Sequence, residues 1–179
     1  MRRSFSPIAA LVSLVVIGSC SAPRIVPAPA PRPAPTPPPP PVTAPAQVLG
    51  EDWRDWPLTP GDWVYRQDAR GSIALFGPRG ADALLTLRCD RGARMIYLSR
   101  QGGAPASVTL RTSTLLRNLA MVPTGGTPPY LAVAINPRDS LLDAMGFSRG
   151  RFVVEQGIAP PLVIPAYAEV ERVTEDCRG

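Results

Sequence analysis

Two carboxylates, Asp139 and Asp143, lie four residues apart within residues 136–146. On a helix that spacing puts both on one face, where a pair could divide acid and base roles in a hydrolysis. The same spacing is common on solvated helices, and nothing else in the chain completes such a site. The 179 residues include no histidine, and every one of the 19 basic side chains is arginine. Ser-His-Asp, Cys-His and Ser-Lys nucleophiles, Schiff-base chemistry and histidine-ligated zinc are therefore excluded. Gly102-Gly103 and Gly125-Gly126 read as turn glycines, without the strand and helix that frame a phosphate loop. The expectation is a protein that is not an enzyme, with no catalytic residue, no metal and no cofactor.

Two other groupings could bind. Trp53, Trp56 and Trp63 are all the tryptophans of the chain and fall within 11 residues. They could stack on sugars or grip a partner; they could equally cap an open edge of a β core and dock the incoming chain. Arg149 and Arg151 flank Gly150. Two arginines so placed could fork onto a carboxylate or phosphate. The internal alternative pairs them with Glu171, Glu175 or Asp176, which would bring this loop against the end of the chain.

The segments that must position these residues read mostly as strands. Residues 62–66, 72–76, 83–89, 94–100, 107–112, 115–122, 130–135, 151–155 and 162–164 are apolar-rich or alternating, and breakers fall between them. That rhythm predicts a mainly β domain, an antiparallel sandwich or partly open barrel. Asn136-Pro137-Arg138-Asp139-Ser140 opens a short amphipathic stretch with Leu141, Leu142 and Met145 on one side, and Gly146 and Gly150 close it. Tyr167, Val170 and Val173 recur three apart in residues 166–177, which predicts a last helix. From Gly50 onward 15 arginines face 14 acids. A net of +1 argues against nucleic acid as a partner, which would need a clustered basic face, although residues 62–155 alone carry 12 arginines against 7 acids.

The start of the chain carries a different signal. Arg2 and Arg3 precede an apolar run over residues 8–18, too short to span a bilayer. The run ends in Ile17-Gly18-Ser19-Cys20, which resembles the lipobox of a bacterial lipoprotein. The resemblance implies a signal peptide over 1–19 and a diacylglycerol thioether on Cys20 as the mature N-terminus. Ser21, rather than aspartate, implies export to the outer membrane of a Gram-negative bacterium, with the domain facing the periplasm. Residues 20–49 form the lipidated cysteine and a stalk. Residues 23–45 contain 12 prolines, and a polyproline II rod of that length reaches roughly 70 Å. The β domain occupies 50–179. With Cys20 lipidated, Cys89 and Cys177 remain, and in an oxidising compartment they are expected to form one disulfide. They lack Cys-x-x-Cys spacing and are too few for a zinc site.

Leu87-Arg88-Cys89-Asp90, Phe147-Ser148-Arg149-Gly150-Arg151-Phe152 and Glu175-Asp176-Cys177 follow an order similar to small exported bacterial proteins of unknown activity. More distantly the order resembles the type VI secretion accessory proteins of the VasI kind and the invasion-associated locus B family. The resemblance implies a disulfide-linked β domain and brings no catalytic residue. The expected function is non-enzymatic binding or envelope assembly on a membrane-anchored stalk, with an envelope protein or peptidoglycan as partner. The alternative is an inhibitor of a muramidase or protease. An inhibitor would present a loop with an exposed basic or aromatic tip, an assembly module an apolar patch.

Overall fold

The structure, a computed structural model, describes residues 49–179. The expected signal peptide over 1–19, the expected lipidation at Cys20 and the expected stalk up to residue 48 lie outside the described residues. Nine strands form, where alternation and breakers predict them: β1 (Asp62–Asp68), β2 (Gly71–Gly77), β3 (Leu85–Asp90), β4 (Met95–Gln101), β5 (Ala106–Arg111), β6 (Leu116–Pro123), β7 (Tyr130–Ile135), β8 (Arg151–Gln156) and β9 (Ala159–Pro165). Helix α1 (Ser140–Gly146) sits in the β7–β8 connection, and helix α2 (Ala168–Arg178) follows β9. Every neighbouring pair is antiparallel, and the strands make one sheet in the order β1-β2-β3-β4-β7-β6-β5-β8-β9.

The sheet is curled but not closed. Inward residues of all nine strands, from Trp63 and Phe76 through Leu98 and Met121 to Phe152 and Ile164, share one core cluster. A flat sheet could not bring both wings to one cluster. Leu141, Leu142 and Met145 of α1 and Val170 and Val173 of α2 join the same core. Burial of these apolar faces is the main force holding the curl, at about 25 cal/mol per Å² removed from water.

The outermost strands touch at one end without a ladder. The Trp63 indole N–H donates to the Pro165 carbonyl at 2.9 Å. The Thr59 amide donates to the Val163 carbonyl at 2.9 Å, and the Val163 amide donates to the Thr59 hydroxyl at 2.9 Å. Pro160, Pro161 and Pro165 have no N–H to offer along the same strand. An edge so depleted of donors resists pairing with another chain.

A second tie crosses the core. In β4, Ile96 and Leu98 point inward, and the same phase turns Arg100 inward too, leaving it only 6% exposed. Its guanidinium donates to the carbonyls of Val154 in β8 (2.8 Å) and Pro160 in β9 (3.0 Å). These strands are not neighbours of β4, so the side chain spans from one wing to the other. Burial lowers its pKa from the usual arginine value.

The third tie is the disulfide. Cys89 and Cys177 are bonded, with their Cα atoms 5.3 Å apart, and link the end of β3 to the last turn of α2 across 88 residues. Helix α2 packs on β1 to β4 and on α1. Reductive loss of so long a cross-link costs about 2–4 kcal/mol, mostly through the unfolded chain. A Cys89→Ser variant is expected to lower the urea-unfolding free energy by that amount and leave Cys177 open to thiol reagents. An unchanged urea midpoint, or an unreactive Cys177, would contradict this role.

Candidate functional site

The predicted pairing of Arg149 or Arg151 with Glu171, Glu175 or Asp176 does not form. The reason is strand alternation. Phe152 and Val154 of β8 point into the core that α2 also lines, so Arg151 and Val153 face the opposite side. There the Arg151 guanidinium donates to the Trp56 carbonyl. Gly150 turns between the two arginines with φ of +78°, a conformation that favours glycine, and Arg149 points into solvent. Asp176 and Arg172 of α2 are engaged elsewhere. Asp176 accepts from the Tyr65 hydroxyl at 2.5 Å, and Arg172 lies 3.9 Å over the Tyr65 ring. Burial is the largest single influence on Asp176 and opposes its ionisation, but the Tyr65 and Ser72 hydroxyls and the charges of Arg172 and Arg91 together outweigh it, and the pKa falls.

The tryptophans separate despite their closeness in sequence. Trp63 is in the main core against Phe76, ring centroids 5.4 Å apart. Trp53, in a short 3-10 turn, packs on Val153 and Val163 on the outer side of β8 and β9. Trp56 is half-buried beside it and donates its indole N–H to the Gly50 carbonyl at 2.7 Å. The incoming chain is thus docked by two indoles, and the ring faces of Trp53 and Trp63 are occupied.

Asp139 and Asp143 do not act as a pair. Asp139 caps α1, accepting from the Leu141 amide at 2.8 Å and pairing with Arg117 at 2.6 Å. Asp143 pairs with Arg178 of α2 at 2.8 Å. Glu171 faces the same junction. Its Oε1 is buried without a partner, and its carboxylate lies where a Gly146 methyl would sit. Burial, then the nearby charge of Asp143, raises its pKa, against a lowering by Arg178.

Exposed apolar side chains stand on three segments that are hydrogen-bonded to one another around the loop after α1. Phe147, next after α1, is 73% exposed, and Tyr167, the residue before α2, is 58% exposed. Leu116 is exposed as well. Two serines fix the backbone between them. The Ser148 hydroxyl donates to the Arg151 carbonyl (2.5 Å) and accepts from the Ser113 amide (3.0 Å). The Ser113 hydroxyl accepts from the Arg149 amide (3.2 Å). The Phe147 and Ser148 amides close α1 on Asp143 and Met145 carbonyls, and the Ala166 amide bonds the Gly150 carbonyl. A loop with its backbone so engaged presents Phe147 and Arg149 with little ordering entropy left to lose on binding. A sequence signal existed: Phe147 falls out of phase with Leu141, Leu142 and Met145, so the helix cannot bury it.

A separate apolar surface lies at the β8–β9 turn. Ile158 at its tip is fully exposed, beside an open groove of about 620 Å³ formed with Ala104, Pro105 and Ala106. No protein-family model, curated protein or solved structure matches the chain.

Arg151→Ala is expected to lower the melting temperature by about 3–6 °C through loss of the Trp56 contact, and Arg149→Ala to leave it within a degree or so. Calorimetry on both variants checks this; the reverse order would contradict the assignment. A raised Glu171 pKa means that the folded state binds its proton more tightly than the unfolded state. The penalty on stability therefore appears as pH rises above the ordinary value of 4.5. Glu171→Gln is expected to raise the melting temperature at pH 7 by about 1–3 °C, a gain that vanishes once wild-type Glu171 is protonated in both states. Equal melting temperatures at pH 7 would contradict the assignment.

Proposed function

We propose that this is an outer-membrane lipoprotein. On this reading it is anchored through Cys20, and a proline-rich stalk carries a non-enzymatic binding or assembly domain into the periplasm. The observation that supports the binding role is the Phe147 surface: an aromatic side chain held out to solvent on a hydrogen-bonded loop. Exposing Phe147 beside the serine clamp costs solvation that a docking partner would recover. The partner of this surface is an envelope protein, with peptidoglycan within reach of the stalk. The apolar Ile158 tip fits the same assembly role.

The second reading is an inhibitor of a muramidase or protease. What favours it is Arg149 beside Phe147, an exposed basic and aromatic tip on a rigid loop. Such a tip could enter a carboxylate-lined cleft.

One experiment in intact cells addresses anchor and surface together. A photo-crosslinking residue at Phe147 is expected to give a discrete protein adduct, whereas the same probe at exposed Arg79 gives none. Fatty-acid label is expected on the wild type and not on Cys20→Ser. An adduct with a muramidase or protease, together with loss of that enzyme's activity, would favour the inhibitor. Equal label in both proteins, or no adduct from Phe147, would overturn the proposal.

A further inference from the structure

We infer that the outer face of β3, β4 and β7 carries a binding groove for a neutral, polyhydroxylated ligand, a short stretch of glycan. The site is separate from the Phe147 surface and does not depend on the anchor. A groove of about 290 Å³ is lined by Arg70, Thr86, Arg88, Tyr97, Ser99 and Thr124, together with Ala132. The register explains how these residues meet. Thr86 is opposite Ser99, Ser99 opposite Ala132, Arg88 opposite Tyr97, and Tyr97 opposite Ala134. Side chains on one face recur every second residue, so these positions form two adjacent cross-strand rows.

Three features point to the ligand's chemistry. The first is hydrogen-bonding capacity. The hydroxyls of Thr86, Tyr97, Ser99 and Thr124 are not taken by any hydrogen bond among the described residues. Each can donate and accept, as a sugar hydroxyl can. The second is the ring of Tyr97. Tyr97 is partly buried at the wall of the groove, and its cross-strand neighbour on β7 is the small Ala134. An aromatic ring at a groove wall can pack against the C–H face of a sugar while its hydroxyl takes part in hydrogen bonding.

The third is charge. Two arginines in a groove would ordinarily suggest an anion. Here Arg70 is held by Asp90 at 2.6 Å and Arg88 by Asp68 at 2.8 Å. Two cations and two carboxylates cancel. The ion pairs fix the guanidinium planes as hydrogen-bond donors without leaving a positive field for a phosphate. Asp68 also accepts from the Arg70 and Gly71 amides and Asp90 from the Ala93 amide, which locks both carboxylates in their turns. The groove is therefore pre-formed, polar and neutral.

The test titrates the full chain with a soluble β-linked N-acetylglucosamine trimer and, separately, with inorganic phosphate, followed by calorimetry. Saturable binding of the trimer and none of phosphate is expected. Tyr97→Ala is expected to weaken trimer binding by about 10-fold or more, and Tyr97→Phe to retain most of it. The double variant Thr86→Val, Ser99→Ala is expected to weaken it similarly while leaving the ring in place, and decides the matter should Tyr97→Ala fail to fold. Phe147→Ala is expected to bind the trimer as wild type does, so this site and the protein-binding surface stand or fall separately. No trimer binding at millimolar concentration would overturn the inference. So would binding unaffected by the double variant, or phosphate binding in place of the trimer.

Discussion

A sheet of nine strands that curls without closing must keep its curl without a seam of ladder hydrogen bonds. The rest of the structure follows from how that is done. Apolar burial supplies most of the free energy but no direction, and directed ties set the geometry. Arg100 reaches from β4 to the carbonyls of β8 and β9. Trp63 and Thr59 join the two outer strands at one end. The Cys89–Cys177 bond holds α2 on the core side of β1 to β4. Among these, only the disulfide also fixes a second layer, because α2 in turn carries α1 through Arg178 and Asp143.

That layer leads to the surface. Helix α1 ends at Gly146, Phe147 follows it, and the loop beyond is fastened to the β5–β6 turn by Ser113 and Ser148. The exposed aromatic side chain is therefore one step removed from the helix pair, and the helix pair one step removed from the disulfide. Glu171 is the weak point in this chain of contacts: a carboxylate pressed against Gly146 with one oxygen unpartnered. On the other side of the sheet the groove at Tyr97 depends only on strand register and on two ion pairs. The two surfaces are built by different physical means, consistent with two different ligands.

Much of the fold was legible in the sequence, because burial on a pleated sheet writes itself as alternation. Residues 94–100 and 107–112 alternate cleanly and became β4 and β5. The disulfide followed from a single remaining cysteine pair. Strand order was not legible: β4 pairs with β7 rather than β5, and composition carries no trace of which strands meet. Complementary charge points Arg151 to the acids of α2, but strand phase forbids that pairing. Its neighbours Phe152 and Val154 already required it to face away from α2. The same rule, applied to Ile96 and Leu98, marks Arg100 as buried. Trp53 and Trp63 looked like one cluster, yet one lies in a turn outside the sheet and the other on a strand facing in. Side-chain hydroxyls such as Thr86 and Ser99 gave no sequence signal, since only register makes them neighbours.

The most direct measurement is amide hydrogen exchange on the domain with and without reductant, resolved by segment. If the disulfide braces a helical layer over a sheet that holds its own curl, reduction exposes α2, α1 and the Phe147 loop to faster exchange, while the central strands β3, β4 and β7 keep their protection. Unchanged protection in α2, or a uniform loss across sheet and helices together, would contradict the account.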